Sequence, residues 1–486
     1  MSGTTTSGDE RQARVISGPS ALGICIASMI GSGIFTVTGL IGPQVVTTSN
    51  IMVAWIIGGL VALCGGLAVA ELAAMRPRAS AQYEVVHEAM GPTFGYLKGM
   101  ITLLIGYVSS LAAIALVSGE YVQNFAPAID PRLTATVLLV GLGVVHATTV
   151  LGGQRFNDVL VLFKILLVLA FIVGGFVLMG EARIPSREVL EVARVTLPDS
   201  PLGAVPFGAG PEEIERLLRT APGPSVFSGA VGLAIVSISF PYLGWATAAE
   251  VAGEIRRPGR NLPIAIVGSV IIVGGLYLLV NVVYTTVIPP LAMVELTEDG
   301  EGLKPMGDIG SVVATHLLGT RGGALVTAAL VFLFVSTLST GVMTGGRIIA
   351  AMSWRHELPT VAGALNRRGA PSIAVVSMLA LTLPIVWSSR LADLFEYVGL
   401  LTTLAMMMAM VSVLVMRWRR PDLPRPFRIP LYPIPPLISL GLGGWLLVSA
   451  TIEDWVPVFY TAVTVVAIVV LRPVLVRHPV STSDAG

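Results

Sequence analysis

Two short stretches carry residue types out of keeping with their surroundings. Ile30-Gly31-Ser32-Gly33-Ile34-Phe35 sets two glycines and a serine in the middle of an apolar run. Ile238-Ser239-Phe240-Pro241-Tyr242-Leu243-Gly244-Trp245 sets a proline and a glycine three residues apart in another. Each glycine weakens a helix by about 1 kcal/mol relative to alanine, and proline removes a donor and collides with the preceding turn. Both runs are expected to break there. Freed backbone at membrane depth must be buried in protein or line a cavity, because unpaired amides in lipid are costly. At the first break the amides of Ser32, Gly33 and Ile34 open a new half-helix, and their free N–H groups and positive dipole end suit a carboxylate. At the second, the carbonyls from Ser239 to Leu243 end a half-helix and suit an ammonium. Opposed at the membrane midplane, the two form a receptor for a zwitterionic α-amino acid. The plainer alternative makes Gly31-Ser32-Gly33 a small-residue packing face and Pro241 a simple kink. It accounts for either break but not for their matched positions.

The elements that must position these breaks are membrane spans. Of 486 residues 54% are hydrophobic and 12% charged, against about a quarter charged in soluble domains. A span takes about 20 apolar residues, and runs of that kind fall at 19–42, 51–74, 95–119, 133–151, 157–179, 226–250, 261–287, 322–346, 372–388, 391–416, 434–452 and 456–471. With the N-terminus inside, most Lys and Arg fall on inner segments, as the positive-inside rule requires, and both termini are expected in the cytoplasm. Lys plus Arg (30) nearly cancel Asp plus Glu (29), and no block of like charge points to nucleic acid. Cys25 and Cys64 both lie in apolar runs, which leaves no disulfide framework or metal cluster. There is no HExxH, GxSxG, Walker motif or intramembrane Asp pair, so an enzyme is not expected and no cofactor or metal is called for. The stretches 180–225 and 288–320 read as long outer loops, lids or spacers rather than domains. Seven prolines between Pro421 and Pro436 exclude a helix there and separate ten runs from the last two.

The motifs have a familiar order. Ile30-Gly31-Ser32-Gly33-Ile34-Phe35 resembles the GSGIF motif of the amino acid, polyamine and organocation transporter superfamily. Ala70-Glu71-Leu72, Gly244-Trp245, Gly253-Glu254, Arg257-Pro258-Gly259-Arg260-Asn261-Leu262-Pro263, Arg347 ahead of Leu358-Pro359, and Arg417 to Pro426 follow in place. The pattern spans nearly the whole chain and is closest to the L-type amino acid exchanger branch. The resemblance implies an all-α integral membrane fold of twelve transmembrane helices, with a leucine-transporter-like 5+5 inverted repeat and two peripheral helices. Its parts would be a tail (1–18), helices one to five (19–179), an extracytoplasmic loop (180–225), helices six to ten (226–416), an Arg/Pro-rich cytoplasmic connector (417–433), helices eleven and twelve (434–471) and a tail (472–486).

It also implies roles. Gly31, Ser32 and Gly33 fall on the carboxylate-binding positions and Met29 faces the amino group; Phe240 falls on an aromatic gate, and the carbonyls of Pro241 and Leu243 on the ammonium site. Two departures bear on this. Pro241 stands where a small residue is usual, and Ser80-Ala81-Gln82-Tyr83 replaces a glycine pair before tyrosine. Lys164 lies about nine residues past Arg155, roughly 13 Å into its helix, deeper than a side chain of about 6 Å can snorkel. Either it reaches a water pocket or headgroups, or its ammonium takes the place of a sodium ion, bridging the first break to hydroxyls such as Ser336, Ser339 and Thr340. Lysine at that position is common in sodium-independent members. Glu71, Glu254 and Arg347 read as interfacial ion pairs at helix ends, and His146 as a packing histidine. Tyr107, Tyr242, Trp245 and Tyr397 divide between core and vestibule. The expected function is alternating-access transport of neutral amino acids across the cell membrane, sodium-independent, by exchange or proton symport. The partners are the amino acid and the lipid bilayer. A nutrient sensor on the same scaffold and a polyamine or organic cation transporter are the alternatives.

Overall fold

The computed structural model describes residues 16–75, 81–148, 154–178, 216, 219–250, 252, 255–296, 303–354, 357–366 and 370–475. The first apolar run forms two helices, α1 (Gly18–Met29) and α2 (Val37–Val45). Ser17 starts α1 by accepting the Ser20 amide, and Pro19 sits in the first turn, where its missing N–H has no partner to lose. α3 (Thr48–Met75), α4 (Ala81–Met90) and α5 (Pro92–Leu103) follow; α5 passes through a π-helical turn at Leu104–Ser109 into α6 (Ser110–Gln123). α7 (Pro131–Thr148) and α8 (Gln154–Leu178) complete this half. The later half contains α9 (Gly229–Ile238), a short α10 (Thr247–Glu250) and α11 (Pro258–Val287). Beyond a small hairpin come α12 (Ile309–Trp354), α13 (Ser372–Ser388), α14 (Leu391–Arg419), α15 (Ile434–Glu453) and α16 (Trp455–Leu475).

Among the described residues, nine helical stretches are long and apolar enough to cross a membrane, and three shorter apolar helices occupy Leu162–Leu178, Gly229–Ile238 and Ser372–Ser388. The protein is a nearly all-helical, multi-pass membrane protein. Along α8, Leu162, Leu166, Val173 and Val177 are all more than half exposed; spaced by whole helical turns, they form the stripe that lipid rather than water would cover.

Among the described residues the structure departs from an all-α reading at a short hairpin, besides an isolated parallel bridge between Ile16 and Ile255. Strands β1 (Val294–Leu296) and β2 (Leu303–Pro305) pair antiparallel, Val294 opposite Pro305, inside the segment read as loop. Three residues per strand are too few for a period of two to be visible. The same segment ends early, because α12 begins at Ile309 and bends at Gly319, whose φ is +69°. Residues 1–15, 180–215 and 476–486, Ser80 and Glu254 lie outside the described residues, as do the side chains of Arg155 and Arg347.

Packing centres on aromatic rings beside the breaks. Trp55 of α3, Tyr242 of the second break and Tyr277 of α11 stand 5.2 to 5.9 Å apart between centroids, all fully buried. Phe334 of α12 meets Tyr121 of α6 edge-on at 5.1 Å. Such contacts add roughly 0.5–1.5 kcal/mol each beyond area burial, so the helices holding the breaks are fixed by rigid side chains.

Candidate functional site

Both runs break where glycine and proline stand. α1 stops at Met29, Ile30 is extended (φ −75°, ψ 95°), Gly33–Phe35 makes one 3-10 turn, and α2 resumes at Val37. α9 stops at Ile238, residues 239–246 run as successive turns, and α10 follows. Gly244 has φ +105°, a conformation that glycine adopts without steric penalty. A Cβ there would also stand 2.5 Å from the Ser28 carbonyl carbon, so the last turn of α1 rests directly on this glycine.

The two breaks face each other in contact. A Cβ on Gly33 would lie 2.7 Å from Pro241 Cγ and 3.0 Å from its Cα. Tyr277 joins them from α11: its hydroxyl lies 2.6 Å from the Met29 carbonyl and 2.9 Å from that of Pro241, sharing one proton between two helix ends. Among the described residues, the amides of Gly31, Ser32, Gly33 and Ile34 donate to no backbone carbonyl, and the carbonyls of Ser239, Tyr242 and Leu243 accept no backbone N–H. Ser32 Oγ and Thr36 Oγ1 are buried without a partner. Free donors on one break and free acceptors on the other match the two ends of a zwitterion. Phe240 is buried, its ring 4.5 Å from Phe395 of α14.

Lys164 is 6% exposed and donates to Thr337 Oγ1 at 2.8 Å. Thr337 Cγ2 lies 4.0 Å from the place of a Cβ on Gly31, so the lysine reaches the edge of the first break through this threonine. Two of the three hydroxyls expected to receive it have other partners. Ser339 Oγ meets His146 Nε2 at 3.0 Å, and Thr340 donates back to the Ser336 carbonyl at 3.1 Å. One residue is a rotation of about 100° on a helix, so Ser336 and Ser339 point away from the Thr337 face, while Thr340, three residues on, shares it. Thr337 spends its own proton on the Leu333 carbonyl, which leaves an oxygen lone pair for the ammonium.

Glu71 closes the opposite end of α3. Arg417 binds it through Nε (2.9 Å) and a terminal nitrogen (2.6 Å), the Ile429 amide donates at 2.7 Å, and Arg425 Nε stands 3.5 Å away. The Arg417 guanidinium also lies 3.8 Å from the Tyr432 ring centroid. The residues from 417 to 433 are thereby wrapped around one carboxylate that is 1% exposed. Tyr242 and Trp245 belong to the core, as does Tyr107, whereas Tyr397 is half-buried and bonds Thr464 at 2.9 Å.

Sequence reasoning missed Tyr277 and Thr337. The signal for the first was present: Tyr277, Asn281, Tyr284 and Thr285 lie at helical spacing in an apolar run. All four are buried, and Asn281 accepts the Thr38 hydroxyl of α2 at 2.5 Å. Among the described residues no group of three or more His, Cys, Asp or Glu could hold a metal ion, and the two cysteines are buried and not joined in a disulfide.

A bundle of apolar helices with two broken ones opposed at their breaks defines a membrane transport protein rather than an enzyme. Residues 16–470 match the family model described as amino acid permease, and the chain belongs to that family. It is 27% identical over 436 residues to the large neutral amino acids transporter small subunit 2 of Homo sapiens, covering 88% of this chain and 74% of that protein. The serine/threonine exchanger SteT of Bacillus subtilis (strain 168) is 26% identical over 437 residues, 89% of this chain and 90% of the exchanger. The b(0,+)-type amino acid transporter 1 of Mus musculus is 26% identical over 441 residues, 89% and 82% of the two chains.

Proposed function

We propose that the protein carries neutral α-amino acids across the cytoplasmic membrane by alternating access, without sodium, as an exchanger or a proton symporter. The observation that carries the reading is the pair of opposed breaks. Amides of Gly31 to Ile34 without a backbone partner lie across from carbonyls of Ser239, Tyr242 and Leu243 without one, a spacing of charge that an amino acid's carboxylate and ammonium satisfy together. In this reading Gly31, Ser32 and Gly33 bind the carboxylate, Met29, Pro241 and Leu243 receive the ammonium, and Phe240 covers the ligand. No ionisable side chain lies on either broken stretch, which favours neutral substrates. Lys164 supplies through Thr337 the positive charge that sodium would otherwise supply. Twelve spans in a 5+5 inverted repeat plus two, with both termini cytoplasmic, complete the proposal, and the exchanger named among the relatives supports the exchange mode. The test is uptake by purified protein in liposomes, screening all amino acids with and without internal amino acid and with a pH gradient. Uptake of neutral amino acids is expected, and uptake of none under any condition would overturn the reading.

A further inference from the structure

The β1–β2 hairpin and its flanks close over the end of the bundle opposite the arginine-rich connector. The Met306 carbonyl lies where a Cβ on Gly39 would stand, and Met293 Sδ and the Pro290 carbonyl crowd Gly42 in the same way, at 2.6 and 3.0 Å. The segment thus rests on α2, the half-helix leaving the first break. Its attachment to α6 is acidic. Asn124, just past α6, donates to Asp308 Oδ2 at 2.9 Å. Glu295 of β1 accepts the Gly307 amide, and Glu120 of α6 presses Oε2 against Gly307, where a Cβ would collide with it. Asp308 is 8% exposed, yet its Oδ1 and Glu120 Oε2 are buried without a hydrogen-bond partner.

We propose that Glu120, Asp308 and Glu295 form a proton-binding site whose occupancy holds the hairpin on α2. Like charges packed this closely cannot all ionise freely, and an added proton turns one acceptor-only carboxylate into a donor for a neighbour that has none. The other groups facing the site do not remove the need. Lys304 of β2 pairs with Glu295 at 3.5 Å, but the two side chains are 43% and 37% exposed, so solvent weakens the pair. Tyr121 already donates to the Phe35 carbonyl at 2.6 Å and accepts the Gly310 amide at 3.2 Å. Tyr284 of α11 is a neutral phenol whose hydroxyl is buried without a partner. Glu298, Asp299 and Glu301 lie outside the described residues. Burial raises the carboxyls of Asp308 and Glu295 above the usual range, and the Asp308 charge raises Glu295 further. The sign follows: the packed hairpin binds the proton more tightly than a solvated one. Attachment is therefore full below the ordinary carboxyl range and weakens as pH rises through the raised values.

The test is hydrogen exchange of the full-length protein in detergent with a chelator present, comparing protection factors of the 290–296 and 303–308 amides at pH 5.5 and pH 8. Wild-type protection should fall about tenfold for each unit of carboxyl shift relieved. Glu120→Gln and Asp308→Asn, neutral at every pH, should each flatten the dependence. Equal wild-type protection at both pH values overturns the proposal without need of a variant. So does a pH dependence that survives in both variants, and so does protection that requires calcium at either pH. None of these readouts needs transport, so their failure leaves the proposed function standing and its failure leaves them interpretable.

Discussion

Gly31 and Gly33 look alike in sequence but their surroundings differ, and that difference makes a test. A methyl on Gly31 meets nothing nearer than Thr337 Cγ2 at 4.0 Å, whereas a Cβ on Gly33 drives into Pro241. Gly31→Ala should therefore fold with an unchanged melting temperature while losing affinity, because the methyl occupies space between the free amides and Thr337. Titration with a bound neutral amino acid checks this, and wild-type affinity would place the ligand elsewhere. Gly33→Leu should abolish binding, because its side chain forces the breaks apart at Pro241. Tyr277→Phe removes one hydroxyl from two helix ends and leaves buried carbonyls unpaired, at a cost of roughly 1–3 kcal/mol, read as weaker binding. The glycines, serine and proline of the breaks were legible because such residues at membrane depth have few other uses. Thr337 was not, since which hydroxyl of α12 meets Lys164 depends on the rotation of a helix bent at Gly319.

At the scale of elements, the connector after α14 is held by a single acid. Glu71 satisfies Arg417, Arg425 and the Ile429 amide together, and removing one partner of a buried pair costs about 3–5 kcal/mol because the other charge is stranded. Glu71→Ala should lower the thermal unfolding temperature in detergent by more than Lys304→Ala, which breaks an exposed pair worth about 1 kcal/mol or less. The prolines forecast a non-helical connector as far as Pro436, but it ends at Pro433, because α15 takes Pro435 and Pro436 into its first turn, where proline loses no hydrogen bond; the sequence marked Glu71 as a helix-end ion pair. It could not show that Glu71 reaches Arg417 across 346 positions. The hairpin was illegible for a different reason. Its strands are held against α2 by close backbone approach at Gly39 and Gly42, a tertiary fit that leaves no periodic trace.

For the whole molecule, hydropathy alone identified a multi-pass membrane protein, because the bilayer allows only backbone that satisfies itself. The proposed function turns on one substitution of charge, the Lys164 ammonium at Thr337 taking the place of a sodium ion beside the first break. A fixed ammonium and a bound sodium a few ångströms apart repel strongly in a poorly screened interior, so the two exclude each other. If Lys164 also exchanges a proton during transport, Lys164→Ala should flatten the pH profile of uptake; as a strut alone, it should lower the rate at every pH alike. The direct measurement is exchange of a radiolabelled neutral amino acid by purified wild type in liposomes, with sodium replaced throughout by choline. Exchange at an unchanged rate in wild type, lost in Gly33→Leu reconstituted to the same level, is the predicted result. Strict sodium dependence of the wild type, or full exchange by Gly33→Leu, would contradict it.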